Sequence, residues 1–250
     1  MADEATTKEQ QQNSPKRVLV VMAHPDDGEF IAGGTIARWA REGHEIYYCV
    51  VTDGNCGSSD PEMTSEKLVP IRQEEHRAAA RTLGAKEALF LHYVDSTLEP
   101  TLQLRHDITR LIRQIRPDIM ICQDPTMRWS GQGYINHPDH RAAGEATLAA
   151  IMPSAGTRLI FTDLLKEGLE PHDVKELYLA SSANADRWVD ISETLETKIE
   201  ALRQHRSQIK DWDPAEEMKS WAKGTADEAR KHGHDFKYAE GFKYFRFRDD

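Results

Sequence analysis

Continuous apolar runs alternate with segments whose apolar residues recur every three or four positions. The run RVLVVMA (17–23) predicts a first strand buried on both faces. GGTIARWAREG (33–43) predicts a helix ending at Gly43. EIYYCVVT (45–52) is a second strand, and PIRQEEHRAAARTLG (70–84) a helix opening at Pro70 and closing at Gly84. EALFLHY (87–93) is a third strand, TLQLRHDITRLIRQIRP (101–117) a helix stopped by proline, DIMICQ (118–123) a fourth strand, and PDHRAAGEATLAAIM (138–152) a further helix. Later, VKELYLAS (174–181) and RWVDI (187–191) predict strands, followed by a helix from about Ser192 to Lys210. This order predicts an α/β fold: a Rossmann-like open sheet, mostly parallel, with helices on both faces.

The composition, 39% hydrophobic and 30% charged over 250 residues, fits one soluble domain. Residues 1–15 are polar and too poor in apolar groups to pack, which predicts a disordered lead-in, with a single domain over 16–250. No run is long enough to span a bilayer and the N-terminus has no signal-peptide core, so no membrane partner is expected. A net charge of −10 without a basic run argues against nucleic acid. Cys49, Cys56 and Cys122 form no CxxC pair, which fits a reducing cytoplasm.

Against this framework, MAHPDDGEF places His24, Asp26 and Asp27 directly after strand one, and HPDH (137–140) opens a helix after strand four. Ligands in open α/β sheets bind beyond the carboxyl ends of the strands, where these two clusters can meet. The glycines do not fit G-x-G-x-x-G, and two aspartates would repel a pyrophosphate, which excludes a dinucleotide loop. His24, Asp27 and His140 form a two-histidine, one-carboxylate set suited to Zn²⁺, although Fe(II) sites use the same set. Asp26 is placed as a general base and His137 as a general acid or oxyanion donor, with Asp139 orienting a histidine. The surplus Asp26 and His137 favour hydrolysis over oxygen activation. Alone, either motif is compatible with a solvated turn or an ordinary helix start.

AHPDDGEF, VTDG (51–54), IRQEEHRAAARTLG, HPDHRAAG, KIEALRQHRSQ (198–208) and YAEGF (238–242) resemble the PIG-L/LmbE-like de-N-acetylases. The resemblance implies a zinc-dependent deacetylase of Rossmann-like fold acting on N-acetylglucosamine-bearing small molecules. It assigns His24, Asp27 and His140 as ligands, Asp26 as base and His137 as acid. Within the family, GGTI, VTDGNCGSSD, VDSTLEP and YINHPDHR are most similar to the diacetylchitobiose and N-acetylglucosamine deacetylase branch. The resemblance also suggests a homo-oligomer. Many members carry a glutamate directly after the second aspartate. Here that position is Gly28, with Glu29 one further on, and no catalytic role is assigned to Glu29.

On the substrate side, Arg72 matches an arginine of the family's pocket, against the plain alternative of a surface pair with Glu75. Asp95, after strand three, could accept sugar hydroxyls or simply form a turn. Tyr134 could donate to an acetyl oxygen, and Trp129 and Asn136 lie beside it; core packing is the competing role. Asp53 is expected to support the metal site, and Gly54 to allow a close backbone approach. His205 is read as structural, and His232 and His234 as part of a solvated loop. Metal-assisted release of acetate is the leading expectation. Cleavage of a sugar-thiol conjugate or other N-acyl amide, and a non-catalytic metal-binding protein, are the alternatives.

Overall fold

The computed structural model describes residues 14–247. Seven strands form one sheet in the order β3-β2-β1-β4-β7-β9-β8. Strands β1 (Arg17–Met22), β2 (Glu45–Thr52), β3 (Glu87–Tyr93), β4 (Ile119–Gln123) and β7 (Glu176–Ala180) run parallel. Strand β9 (Ala239–Arg246) lies antiparallel between β7 and β8 (Arg187–Asp190). A short hairpin, β5 (Trp129–Ser130) and β6 (Tyr134–Ile135), stands apart from the sheet.

Alternation along β1 separates two cores. Val18, Val20 and Met22 pack with residues of α1 (Asp27–Arg41) and α2 (Ser65–Leu83). Leu19, Val21 and Ala23 pack with α3 (Leu102–Ile115) and α4 (Pro138–Ala149) on the opposite face. A strand buried on both sides must be apolar at every position, which is why β1 reads as an unbroken run. Successive strands are added outward from β1 to β3, and the chain then crosses back to place β4 on the other side of β1. The crevice between the carboxyl ends of β1 and β4 is therefore the topological switch point. Both polar motifs leave the sheet there.

The expected strands and the helices after β3 and β4 are present, but several boundaries differ. Helix α1 starts at Asp27, well before Gly33, directly after a tight turn at Pro25 and Asp26. Helix α2 starts at Ser65, capped by the Thr64 hydroxyl, which accepts the Lys67 N–H. Pro70 lies inside that helix rather than at its start; the threonine cap outweighed the proline signal. After α4 the chain passes through a π-helical segment (Ala150–Ala155) and α5 (Thr162–Lys166). The expected 192–210 helix is broken into α6 (Leu195–Leu202) and α7 (Arg206–Ile209). Helix α8 (Ala215–Lys231) and strand β9 were hidden in the charged tail, where the buried stripe of the helix is mostly alanine. The expected lead-in falls almost wholly outside the described residues. Among the described residues, no helix is long and apolar enough to cross a membrane.

One buried ion pair ties the late strand to the first helix. Glu240 on β9 accepts from Lys198 Nζ at 2.7 Å and from the backbone N–H groups of Gly34 and Thr35 at 3.0 and 2.8 Å. Truncating one member of a buried, hydrogen-bonded pair leaves the other charge unpaired. Glu240→Ala should thus lower the unfolding free energy by about 3–5 kcal/mol in urea denaturation. A loss below about 1 kcal/mol, the scale of an exposed pair, would mean that β9 docks independently of this contact.

Candidate active site

Four strand ends supply the site. His24 follows β1 and is buried, with its Nε2 3.0 Å from Asp95 Oδ1 and 3.3 Å from Asp139 Oδ2. Its Nδ1 faces Asp27 Oδ2 at 3.3 Å. Burial alone would lower the His24 pKa, but Asp27, Asp139 and Asp95 overcome it and push it up to about 12. This is a pocket arranged to hold positive charge.

Asp27 begins α1 and bridges the two motifs. Its Oδ2 accepts the His24 backbone N–H at 2.7 Å and the Gln123 amide at 3.0 Å, while Oδ1 lies 3.1 Å from His140 Nε2. Burial opposes ionisation, yet His140 and His24 hold this carboxyl well below the ordinary carboxylate range. His140 is oriented by Asn136, four residues before it and just ahead of α4. The Asn136 amide donates to the Met127 carbonyl at 2.7 Å, which turns its oxygen toward His140 Nδ1 at 3.0 Å. His140 Nδ1 therefore carries the proton, and Nε2 presents its lone pair beside Asp27.

Asp26 has φ 101°, a conformation costly for a residue with a Cβ. It occupies the cap position of α1 without capping it. Instead its carboxylate meets Arg72 Nη2 at 3.1 Å. Arg72 is buried and also donates to the carbonyls of Pro25 and Gly54 at 2.5 and 3.0 Å. Burial raises the Asp26 pKa, Arg72 opposes the rise, Asp27 adds to it, and the result is about 6. Gly54, at φ 60°, permits the contact: a Cβ there would lie 2.6 Å from the Arg72 guanidinium carbon.

His137 caps α4, and its Nδ1 accepts the Asp139 N–H at 3.2 Å. That bond leaves Nε2 as the proton-bearing nitrogen. Burial, and then the charge on His24, lower its pKa. The His137 ring stands edge-on to His24, with centroids 4.8 Å apart. Donor atoms of His24, His137 and His140 all fall within 4.8 Å of one another. A cleft of ≈780 Å³ opens over Asp27, His140 and Asn136, with Trp129 and Tyr134 on its wall.

The family model described as GlcNAc-PI de-N-acetylase, PIG-L, matches residues 19–151. Diacetylchitobiose deacetylase of Thermococcus kodakarensis is 32% identical over 234 residues, covering 93% of this chain and 84% of that protein. The chain belongs to the PIG-L family. The 1D-myo-inositol 2-acetamido-2-deoxy-alpha-D-glucopyranoside deacetylase of Actinosynnema mirum is 29% identical over 240 residues, covering 80% and 83%. Among solved structures, N,N'-diacetylchitobiose deacetylase from Pyrococcus horikoshii, complexed with its inhibitor MPG, superposes with a TM-score of 0.82 at 29% identity. That match covers 98% of this chain and 93% of the other.

Within this PIG-L site the histidine that Asp139 orients is His24, and several other expected residues take other positions. Asp139 is fully buried and turns to His24; its Oδ1 is 3.8 Å from His137 Nδ1, too far for a hydrogen bond. It also accepts the N–H groups of Ser96 and Leu98, at 2.7 and 3.3 Å, so it fastens the β3 loop to His24 rather than facing a reacting group. Asp95, expected to meet sugar hydroxyls, is engaged by His24, the Cys56 N–H and the Ser96 hydroxyl. Burial opposes ionisation of Asp95, but His24 holds its pKa at about 2. Asp53 pairs with His92 and Gln73 instead of supporting the metal-ligand residues. Arg72 is buried at Asp26, while Glu75 bonds Ser207. Tyr134 is half exposed, with its hydroxyl 3.3 Å from the Asn136 oxygen.

Two positions acquire roles that sequence reasoning missed. Gln123 receives the Ala23 N–H at 3.0 Å and donates to Asp27. A polar residue closing an otherwise apolar strand beside β1 was the available signal. Glu29 is fully buried, accepts the Tyr48 hydroxyl at 2.7 Å and lies 3.6 Å from His205. Tyr48 also explains Gly28: a Cβ there would run into the tyrosine hydroxyl, with Cζ only 2.7 Å away. Gly28→Ala should therefore destabilise the fold by about 1–3 kcal/mol through overpacking. Gly224→Ala should stabilise it by about 0.5–1 kcal/mol, because a Cβ at that helical glycine meets nothing within 4 Å. Equal signs for the two variants in thermal unfolding would contradict the packing explanation.

Proposed function

We propose that this chain hydrolyses the N-acetyl amide of an N-acetylglucosamine-bearing small molecule, with His24, Asp27 and His140 holding a zinc ion. The observation that carries the reading is the convergence, at one switch point, of a histidine–carboxylate–histidine set with a separate carboxylate, Asp26, held off it by Arg72. The donor set suits the ion. Four carboxylates (Asp26, Asp27, Asp95, Asp139) crowd the site against one arginine. A divalent cation offsets that excess. His24 and His140 each have one ring nitrogen held by side-chain oxygens and the other turned to Asp27, the arrangement that metal-binding histidines need.

When bound, such a cation lowers the pKa of a water toward neutrality and polarises a carbonyl. Asp26 takes the proton released as water adds to the acetyl carbon. Its raised pKa suits it to accept a proton near neutral pH and then deliver it to the departing amine. Arg72 keeps this carboxylate aimed, and Gly54 gives the guanidinium room. His137 works best as a neutral donor: Nδ1 is occupied by the Asp139 N–H, so the Nε2 proton is available to the developing oxyanion. This favours the oxyanion role over the acid role for His137. Relatives that act on acetamido-deoxyglucose units joined to different groups support an N-acetylated amino sugar as the common part of the substrate.

Metal-loaded protein should release acetate from N-acetylglucosamine or diacetylchitobiose. Asp26→Asn should retain its metal but lose activity about 10²–10⁴-fold. Full activity in that variant, with metal bound, would refute the base assignment. Asn136→Ala should weaken metal retention about 10–100-fold in competition with a chelator. An unchanged affinity would show that His140 needs no such partner.

A further inference from the structure

Near the Asp26–Arg72 pair lies a second group of metal-ligating side chains that takes no part in the proposed hydrolysis. Glu29 comes from the first turn of α1, His76 from the middle of α2, and His205 from the turn between α6 and α7. All three are fully buried. One ligand atom from each, a carboxylate oxygen and two ring nitrogens, lies within 4.8 Å of the others. The Tyr48 hydroxyl holds Glu29 Oε2 at 2.7 Å. Glu29 Oε1 faces His205 Nε2 at 3.6 Å, too far for a hydrogen bond. That oxygen and all four ring nitrogens of His76 and His205 have no hydrogen-bond partner among the described residues. Buried polar atoms are nearly always paired, so five orphans in one place call for an explanation. A proton shared between Glu29 and His205 serves that pair alone and leaves both nitrogens of His76 without a partner. A cation serves all three residues at once. Burial pushes the His76 pKa down to about 4, so its ring is neutral and carries the lone pair that a metal needs.

We propose that Glu29, His76 and His205 form a second, structural zinc site, separate from the one at His24, Asp27 and His140. The inference is independent of the deacetylase reading, since the two sites share no residue. Two imidazoles and a carboxylate suit a borderline-soft divalent ion. Full burial suits a closed structural site rather than an open catalytic one. Three protein donors leave the fourth tetrahedral position to a water. Because the ligands are sealed in the core, the ion enters as the chain folds, and its binding energy becomes folding energy. It ties α1, α2 and the α6–α7 turn together at one point. Arg72 lies one helical turn before His76 on α2, so the tie also steadies the helix whose arginine aims Asp26.

The test combines metal analysis with anomalous diffraction at the zinc edge, on full-length protein produced with zinc. Wild type should show one anomalous peak among His24, Asp27 and His140 and another among Glu29, His76 and His205, with metal content to match. His24→Ala should lose the first peak and keep the second. His76→Leu removes a ligand while an apolar side chain fills its place. It should lose the second peak, keep the first, and hold one zinc ion fewer than wild type. His205→Asn should behave as His76→Leu does. The wild-type peak needs no variant, so misfolding of either variant leaves the test intact. Water or no density between Glu29 and the two imidazoles, with zinc confined to the first site, would overturn the second site. A peak at Glu29, His76 and His205 alone would remove the ligand set of the deacetylase reading and leave this inference standing.

Discussion

Negative charge gathered at the crevice between β1 and β4 is the constraint on which the site depends. Adjacent carboxylates repel, and burying them strengthens the repulsion. The fold answers by giving each one a different neighbour. Asp27 lies between two imidazoles, Asp95 and Asp139 share the far side of His24, and Asp26 is drawn aside by Arg72. Apart from His24 beside Asp27, the partners arrive from other elements, so the site exists only when β1, β2, β3 and β4 are aligned. The parallel register of β1 with β2 and β4 is thus also the geometry of the charge cluster.

Much of this was legible in the sequence because the features are local. A strand buried on both faces must be apolar throughout, so β1, β2 and β4 announced themselves. HPDD and HPDH are short enough for their spacing to imply a turn and a helix start. What could not be read depends on contacts between distant parts of the chain. Nothing near Asp139 indicates that its carboxylate faces His24 rather than His137. Nothing near Asp95 reveals that His24 engages it. Gly28 was opaque for the same reason, since the atom that excludes a side chain there belongs to Tyr48. In the C-terminal part, α8 was missed because its buried residues are mostly alanines, which pack closely but carry a weak hydrophobic signal.

The architecture separates the strand-end cluster from the walls around it. The proposed chemistry is set on strand ends, where small displacements would ruin proton transfer. The walls come from elements added later in the chain: the β5–β6 hairpin, the loop after β7, and α8. Such additions can be altered without disturbing the sheet.

The placement of β9 has a consequence for how the protein comes into being. Residues 239–246 are made after every other strand of the sheet, yet they fill the gap between β7 and β8 and lock the middle of α1 through Glu240. Until that strand emerges, β8 has no ladder partner and the helix carrying Asp27 lacks its brace. Domains consolidate as units during synthesis. Here the pairing of β8 and the brace on the helix that carries Asp27 are both completed only when β9 docks.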